Sequence, residues 1–367
     1  MKKFIALILS SLILCTTVAC SPNDSVESSE TTEQTTTEQT TTAAIITDTI
    51  KENMDNVLAE NKFEGIVCLT HNGDVVYQYA TGKDESGADL TVESTMYIGS
   101  VSKQFCAAAI LMLRDQGKLS LDDTLDIYFP EYSLGKDITV KNLLAMRAGI
   151  SELITGDYDI STDKTKEENI SAIKEWIFEQ PLYFDPDTSW MYSNSNFFLL
   201  SLIVEQVSGQ QYNDFIRENF FEPLGMTHSG FVSEVKVSPE WAGGLTYDTF
   251  QAREGCEGLT QGAGDIASNA ADMDIWMTLL SSGKVISLES YQEMTTDYSP
   301  DFAIGQGFGI RCELYADGVG HPGNIGSYTA LDYINKENGY NLFVATNTNN
   351  LEIEKLPAEL LKDLIAE

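Results

Sequence analysis

The spacing of apolar residues along the chain predicts strands at both ends and helices between them. A first helix begins behind Asp48, and two apolar runs, 66–69 and 75–77, flank Asn72-Gly73, a pair typical of a tight hairpin turn. Helical spacing dominates the middle of the chain, over residues 140–146, 170–178, 197–207 and 212–221. Beyond residue 256 the pattern predicts strands again and then a last helix, over residues 307–314, 328–334, 342–345 and 357–365.

Strands at both ends of the chain imply a sheet assembled from both termini, with helices inserted between them. We expect residues 46–98 and 256–367 to form an α/β part and residues 99–255 to form a mainly helical part. The predicted fold class is therefore α/β combined with an all-α part. Since 43% of the residues are hydrophobic, a body of this length can bury an extended core.

The first 45 residues differ from this body and predict export from the cytoplasm. Two lysines precede an apolar run, residues 4–14, that is shorter than the roughly 20 residues needed to cross a bilayer, as in a secretion signal. Thr17-Val18-Ala19-Cys20 resembles a lipoprotein processing site, which would make Cys20 the lipidated N-terminus. Residues 21–45 are rich in Thr, Glu and Ser and are predicted to be a disordered tether. We expect a lipid anchor on the outer face of a bacterial cell membrane, with simple secretion as the alternative.

Charge and cysteine usage exclude two classes of function. The formal net charge is −34 and the pI is near 4.2, so binding to nucleic acid is not expected. The cysteines show no Cys-x-x-Cys spacing and the histidines are not clustered, so no metal and no cofactor are predicted. Cys68 and Cys106 lie in apolar runs and are expected to be buried free thiols. The sequence leaves open whether Cys256 and Cys312 form disulfides, and it leaves the oligomeric state open.

A Ser-x-x-Lys pattern places a hydroxyl and an amine on one face of a helix, and it occurs six times in this chain. Only Ser100-x-x-Lys103 follows a strand-like segment, residues 96–98, and opens a long apolar run, residues 101–113, that stops at Gly117. This pattern is typical of a turn that leads into a buried helix ended by glycine. The other five pairs are interpreted as surface residues: Ser133/Lys136, Ser161/Lys164, Ser171/Lys174, Ser233/Lys236 and Ser281/Lys284.

Ser100 is the candidate nucleophile, and each further candidate adds to its chemistry. Lys103 lies one helical turn later and could accept the hydroxyl proton. In Tyr192-Ser193-Asn194, Tyr192 could shuttle a proton and Asn194 could hold a substrate carbonyl. In His321-Pro322-Gly323, Gly323 would let the substrate backbone approach closely. Three residues stand in the same short patterns as these candidates and are interpreted as structural. His71 in the hairpin and His228 in a loop precede x-Gly, and Tyr333 in a strand repeats Tyr-x-Asn.

Ser-Val-Ser-Lys, Tyr-Ser-Asn and His-Pro-Gly in this order resemble the motifs of the serine hydrolases related to class C β-lactamases and D-alanyl-D-alanine carboxypeptidases. The resemblance runs from residue 50 to the C-terminus, and residues 117–123, 223–226 and 262–268 support it. It implies a β-lactamase/DD-peptidase-like fold, in which helices flank an antiparallel sheet and a helical domain is inserted. The site would lie in the cleft between the two parts.

The resemblance also implies roles for the site residues. Ser100 would form an acyl-enzyme, Lys103 and Tyr192 would move protons, and the backbone amides of Ser100 and Asn324 would form the oxyanion hole. His321 would line the cleft where β-lactamases of this family usually carry lysine. Because Pro322 replaces the hydroxyl residue that would help to bind the carboxylate of a β-lactam or of a terminal D-alanine, we expect inefficient penicillin turnover.

Three hypotheses for the function follow. The leading one is a cell-surface serine hydrolase that cleaves an ester, a D-amino-acid amide or a cell-wall peptide. The second is a true β-lactamase or DD-carboxypeptidase, and the third is a protein that senses β-lactams or binds the cell wall without turnover. The choice of substrate is expected to depend on two loops, residues 156–164 and 232–255.

Overall fold

The computed structural model describes residues 46–231, 241–243, 258–312, 314–348 and 350–365, all within one of the two units into which the chain divides, Ala43–Glu367. The predicted leader, Cys20, the tether, most of the loop 232–255 and Cys256 lie outside the described residues. None of the helices in the described ranges combines the length and the hydropathy needed to span a membrane.

The described strands form two antiparallel sheets. They are β1 (Gly65–His71), β2 (Asp74–Thr81), β3 (Met96–Tyr97), β4 (Gly230–Phe231), β5 (Ile266–Ser268), β6 (Val319–Ile325), β7 (Tyr328–Asn335) and β8 (Tyr340–Thr346). The main sheet has the order β2-β1-β8-β7-β6, and the small one has the order β3-β5-β4. β1 pairs with β8, with Ile66 opposite Ala345, so the main sheet is assembled from both ends of the chain as predicted.

Helices account for most of the remaining described chain. The α-helices are α1 (Asp48–Glu60), α2 (Lys103–Asp115), α3 (Val140–Leu144), α4 (Lys166–Glu179), α5 (Asn194–Ser208), α6 (Tyr212–Ile216), α7 (Glu222–Leu224), α8 (Ala270–Ser281), α9 (Leu288–Met294) and α10 (Leu356–Leu361). A π-helical turn, Arg217–Phe221, joins α6 to α7. Short 3₁₀ turns lie at Gly99–Ser102, Leu125–Ile127, Gly135–Asp137, Leu153–Thr155, Pro300–Phe302, Tyr315–Asp317 and Leu351–Lys355.

Both faces of the three central strands of the main sheet, β1, β8 and β7, are buried. In β1, Ile66 and Cys68 point into the core shared with the helical part, whereas Val67 and Leu69 belong to a second core that includes residues of α1 and α10. Burial on both faces explains why this strand reads as a continuous apolar run rather than as an alternating one. Cys68 and Cys106 are buried free thiols, as predicted.

The helix behind the candidate nucleophile forms as the sequence predicts. In α2, residues 103–111 are all buried, and the helix packs against α5. The helix ends at Asp115 with Gln116 as its C-cap, and Gly117 follows with φ of +70°, the left-handed conformation in which glycine terminates helices.

One predicted strand is wrong, and several elements were not predicted. The described residues of this segment, 307–312 and 314, form no strand, and two isolated bridges, which join Arg311 to Gln306 and to Gly320, are the β-pairing among them. Positive φ angles at Gly305 and Gly309 turn the backbone there, although the apolar residues alternate as in a strand. The strands β4, β5 and β6 and the helices α8 and α9 were not predicted, whereas β3 lies within the strand-like segment 96–98.

Candidate active site

Two glycines allow close contact between the turn that carries Ser100 and the strand β6, one on each segment. Gly99 opens the 3₁₀ turn before α2 with φ of +51°. A Cβ atom on Gly99 would lie 2.9 Å from the backbone nitrogen of Asn324, and one on Gly323 would lie 1.9 Å from the carbonyl oxygen of Ile98. β6 therefore passes in direct contact with the nucleophile turn. Gly323 is predicted to admit a substrate backbone, but its missing side chain instead admits the backbone of this turn.

Lys103 is completely buried, and its Nζ atom has three hydrogen-bond partners. Nζ lies 3.0 Å from Ser100 Oγ, 2.7 Å from Asn194 Oδ1 and 2.6 Å from the carbonyl oxygen of Ala263. Burial favours the uncharged amine and lowers the pKa of Lys103 to about 7, although the negative charge of Glu152 opposes this shift. Close to neutral pH, a large share of Lys103 is therefore the amine, which has a lone pair.

The partners of Lys103 determine where that lone pair points. A neutral amine keeps two N–H bonds, and both the Asn194 Oδ1 atom and the Ala263 carbonyl can only accept hydrogen bonds. When these two oxygens take the two N–H bonds, the lone pair faces the third partner, Ser100 Oγ. The distance of 3.0 Å is within the range for proton transfer, so this arrangement suits Lys103 to accept the Ser100 proton.

Tyr192 supplies a proton donor to the same oxygen. Its hydroxyl donates a hydrogen bond to Ser100 Oγ at 2.7 Å, and Lys103 Nζ lies 5.0 Å from the centre of its ring. Burial raises the pKa of Tyr192 well above its usual value, and the charge of Glu152 raises it further. The phenol is therefore protonated at neutral pH, and Ser100 Oγ has a proton donor and a proton acceptor within hydrogen-bond distance.

Glu152 belongs to the site and was not predicted from the sequence. Its carboxylate accepts hydrogen bonds from the backbone nitrogens of Ile154 and Asn194, both at 2.8 Å, and from Asn194 Nδ2 at 3.2 Å. These bonds orient the Asn194 amide with Nδ2 toward Glu152 and Oδ1 toward Lys103. Asn194 is predicted to hold a substrate carbonyl, but its described partners are these two residues. Glu152 stands in no periodic pattern, so no local sequence signal marks it.

His321, predicted to line the cleft, lies beside Tyr192 and is not among the described residues of the cleft lining. Its side chain is 2% exposed, its Nδ1 atom lies 2.6 Å from the carbonyl oxygen of Pro322, and its ring centre lies 6.1 Å from that of Tyr192. Burial, together with the charge of Lys103, lowers the pKa of His321 to about 3, so the ring is neutral. A neutral histidine that donates from Nδ1 has an acceptor at Nε2, and this atom is buried without a hydrogen-bond partner among the described residues.

A cleft of about 300 Å³ opens beside Ser100. Among the described residues that line it, Glu152 carries the one formal charge. The described lining consists of Gly99, Ser100, Glu152, Ile154, Thr155, Asn194, Thr260, Ala263, Gly264, Asn324 and Ile325.

The other candidate patterns lie apart from this cleft. The described Ser-x-x-Lys pairs other than Ser100/Lys103 sit at exposed or half-buried positions, as predicted, whereas Ser233 and Lys236 lie outside the described residues. His71 packs against Tyr340 with ring centres 4.6 Å apart, and the backbone nitrogen of His228 donates to Asp272. Neither histidine is among the residues that line the cleft.

The fold and the cleft together define a serine hydrolase whose nucleophile precedes a buried helix beside an antiparallel sheet. The chain belongs to the Beta-lactamase family, whose model matches residues 47–365. It is 33% identical over 287 residues to a protein of Bacillus subtilis (strain 168) named as penicillin-binding protein PbpX, and the match covers 74% of this chain and 68% of that protein.

Solved structures share the fold. The D-amino acid amidase of Ochrobactrum anthropi SV3, complexed with L-phenylalanine, has a TM-score of 0.72 at 21% identity, and the match covers 86% of this chain and 98% of that chain. The octameric penicillin-binding protein homologue from Pyrococcus abyssi has a TM-score of 0.71 at 27% identity, and the match covers 86% of this chain and 77% of that chain. The predicted family and fold class are confirmed.

Proposed function

We propose that this serine hydrolase cleaves an ester or an amide through an acyl-enzyme on Ser100. One observation carries the proposal: Ser100 Oγ lies 3.0 Å from an amine whose pKa is about 7 and 2.7 Å from a protonated phenol. An activated serine needs a base to take its proton, and a leaving group needs an acid to supply one. Lys103 and Tyr192 fill these two roles.

Acylation begins when the neutral Lys103 amine takes the proton of Ser100 and Oγ bonds to the acyl carbon of the substrate. The negative charge that develops on the carbonyl oxygen is stabilised by the backbone amides of Ser100 and Asn324. Tyr192 then gives its phenolic proton to the leaving oxygen or nitrogen as that bond breaks. At this stage Lys103 is an ammonium ion, and its positive charge stabilises the nearby phenolate.

Deacylation restores the starting protonation states of Tyr192 and Lys103. The Tyr192 phenolate takes a proton from a water molecule, whose oxygen bonds to the acyl carbon. When the bond between that carbon and Ser100 Oγ breaks, the Lys103 ammonium returns its proton to Oγ. Each residue ends in the protonation state in which it began, so the net reaction is hydrolysis.

Active-site labelling tests this proposal. A fluorophosphonate probe should form one adduct, which peptide mass spectrometry locates on Ser100. Ser100→Ala should abolish both the adduct and the hydrolysis of a panel of esters and D-amino-acid amides. Ser281→Ala is a matched control, because Ser281 belongs to a Ser-x-x-Lys pair outside the cleft lining. Labelling or turnover that persists in Ser100→Ala would end the assignment.

The name of the Bacillus subtilis relative favours a second candidate, a penicillin-interacting enzyme. Turnover of a chromogenic cephalosporin would support a β-lactamase, whereas release of D-alanine from a D-alanyl-D-alanine peptide would support a carboxypeptidase. A β-lactam adduct on Ser100 that persists for hours in intact-mass spectra, without turnover of any ester or amide, would support a sensor instead.

We also propose that the protein acts outside the cytoplasm, tethered by lipid at Cys20. The support is the leader-like composition of residues 1–20 and the polar tether that follows. Metabolic labelling with a fatty acid should mark the wild-type protein and not Cys20→Ser. An unlabelled wild-type protein recovered from the culture medium would favour simple secretion.

A further inference from the structure

Glu152 places a negative charge in the candidate cleft, and no described cation lies within ion-pair distance of it. Its described hydrogen-bond donors are the neutral N–H groups of Ile154 and Asn194. No ion pair joins Glu152 to a described lysine, arginine or histidine. A half-buried carboxylate that faces a cleft without a cation favours a positively charged ligand there.

The described lining of the same cleft contains no cationic side chain that could pair with a substrate carboxylate. Lys103 contacts Ser100, but it is completely buried and its Nζ atom already contacts Ser100, Asn194 and Ala263. The remaining described lining is uncharged. A substrate carboxylate beside Glu152 would meet a like charge, and the net charge of −34 would add to this repulsion over longer distances.

From these observations, we infer that Glu152 binds an ammonium group of the substrate, so that the preferred substrates are amine-bearing acyl compounds such as aminoacyl esters and amides. This inference rests on the proposed acyl-enzyme function of Ser100. Glu152 reaches Ser100 through a short chain of hydrogen bonds, by way of Asn194 and Lys103, so an ammonium bound there lies near the reacting carbonyl. A cleft of about 300 Å³ is at the small end of ligand pockets and suits a single amino-acid residue.

The test compares substrates that differ in one charge. Alanine p-nitroanilide, as both enantiomers, is paired with its N-acetyl derivative, and 6-aminohexanoyl p-nitroanilide separates an α-amine from a distant amine. The wild-type enzyme should prefer a free amine over the acetylated partner by about tenfold to one-hundredfold in kcat/KM, the range expected for a hydrogen bond to a charged group.

Glu152→Gln removes the charge and keeps the size of the side chain. Because Glu152 also orients Asn194, this variant is expected to slow all substrates, so the informative quantity is the ratio of the two kcat/KM values. We expect that ratio to fall toward one. Glu337→Gln is the matched control, because it removes an exposed charge from the turn between β7 and β8 and should leave the ratio unchanged.

A binding measurement on the wild-type enzyme keeps the inference testable if Glu152→Gln does not fold. Alaninamide should protect Ser100 from a fluorophosphonate at lower concentrations than N-acetylalaninamide. Equal protection by both amides, or a wild-type preference for the acetylated anilide, would overturn the role of Glu152. The proposed function would survive that result provided that Ser100→Ala still abolishes cleavage, so the two failures are distinguishable.

Discussion

Protonation of Lys103 should switch off Ser100, and the structure indicates the pH at which this occurs. Burial lowers the pKa of Lys103 from 10.5 to about 7. This shift corresponds to about 5 kcal/mol of preference for the amine over the ammonium ion. With its ordinary pKa, about 0.03% of the lysine would be an amine at pH 7, whereas about half is an amine in this site. The burial of Lys103 therefore increases the amount of active base by about three orders of magnitude.

The assay is the second-order rate constant for labelling of Ser100 by a fluorophosphonate, measured from about pH 5.5 to about pH 8.5. The probe does not titrate in this range, so the profile reports the enzyme. Since the base must be deprotonated to act, the rate should fall about tenfold per pH unit below pH 7 and level off above it. Tyr192→Phe should lower the plateau without moving the midpoint, because Tyr192 stays protonated throughout.

The electrostatic part of the reasoning is tested by comparing the midpoint of the pH profile in Glu152→Gln with that in the wild-type enzyme. The charge of Glu152 raises the pKa of Lys103, against the effect of burial, so its removal should move the midpoint to lower pH. A wild-type rate that still rises about tenfold per pH unit at about pH 8.5, without levelling off, would show that Lys103 is not the base with a lowered pKa. A midpoint that moves to higher pH in Glu152→Gln would refute the electrostatic reasoning even if the wild-type profile agrees.

Three further predictions concern the framework of the site. Gly323→Ala should cost about 1–3 kcal/mol of unfolding free energy and slow Ser100 labelling, because its Cβ would lie 1.9 Å from a carbonyl oxygen. Gly264→Ala, whose Cβ would have its nearest neighbour at 3.7 Å, is the control, and equal losses in calorimetry would contradict the contact. Burial raises the pKa of Asp332 to about 6, so the folded protein keeps this carboxyl protonated at pH values where the unfolded chain ionises it. The free energy of unfolding, measured with denaturant, should therefore fall by about 3 kcal/mol as the pH rises from about 4 to about 6. Asp332→Asn should not show this fall in the free energy of unfolding. The same pH dependence in the variant and in the wild-type protein would refute the assignment to Asp332. Burial also raises the pKa of the Cys106 thiol, so iodoacetamide should modify Cys106 after unfolding and not before; rapid labelling of the native protein would contradict this.

Features that depend on neighbouring residues could be predicted from the sequence. Asn72-Gly73 specifies a tight turn through its own backbone preferences, and the hairpin of β1 and β2 forms around it. Gly117 ends α2 for a similar local reason. Ser100 and Lys103 meet because they lie three residues apart across the start of a helix.

Features that depend on distant segments could not be predicted in this way. Residues 307–314 alternate as in a strand, but a Cβ on Gly309 would lie 2.6 Å from the carbonyl oxygen of Lys103, so this segment packs as a loop against the nucleophile helix. Strands of two or three residues, such as β4 and β5, are too short to carry a period. The helix α8 is an exception, because a local signal marks its start. Asn269 is its N-cap residue, and its side chain accepts a hydrogen bond from the backbone nitrogen of Asp272, so this asparagine could have indicated the helix.

The position of Glu152 connects the activation of the nucleophile with the choice of substrate. A carboxylate in direct contact with Lys103 would hold the ammonium form and remove the base at neutral pH. In this site the oxygen atoms that contact Nζ from Asn194 and Ala263 belong to neutral groups, and the described hydrogen bonds join Glu152 to the lysine through the Asn194 amide. Across this separation, the charge of Glu152 raises the pKa of Lys103 less than burial lowers it, so the pKa stays at about 7. The same separation leaves the carboxylate at the cleft surface, where it can bind the ammonium group of a substrate.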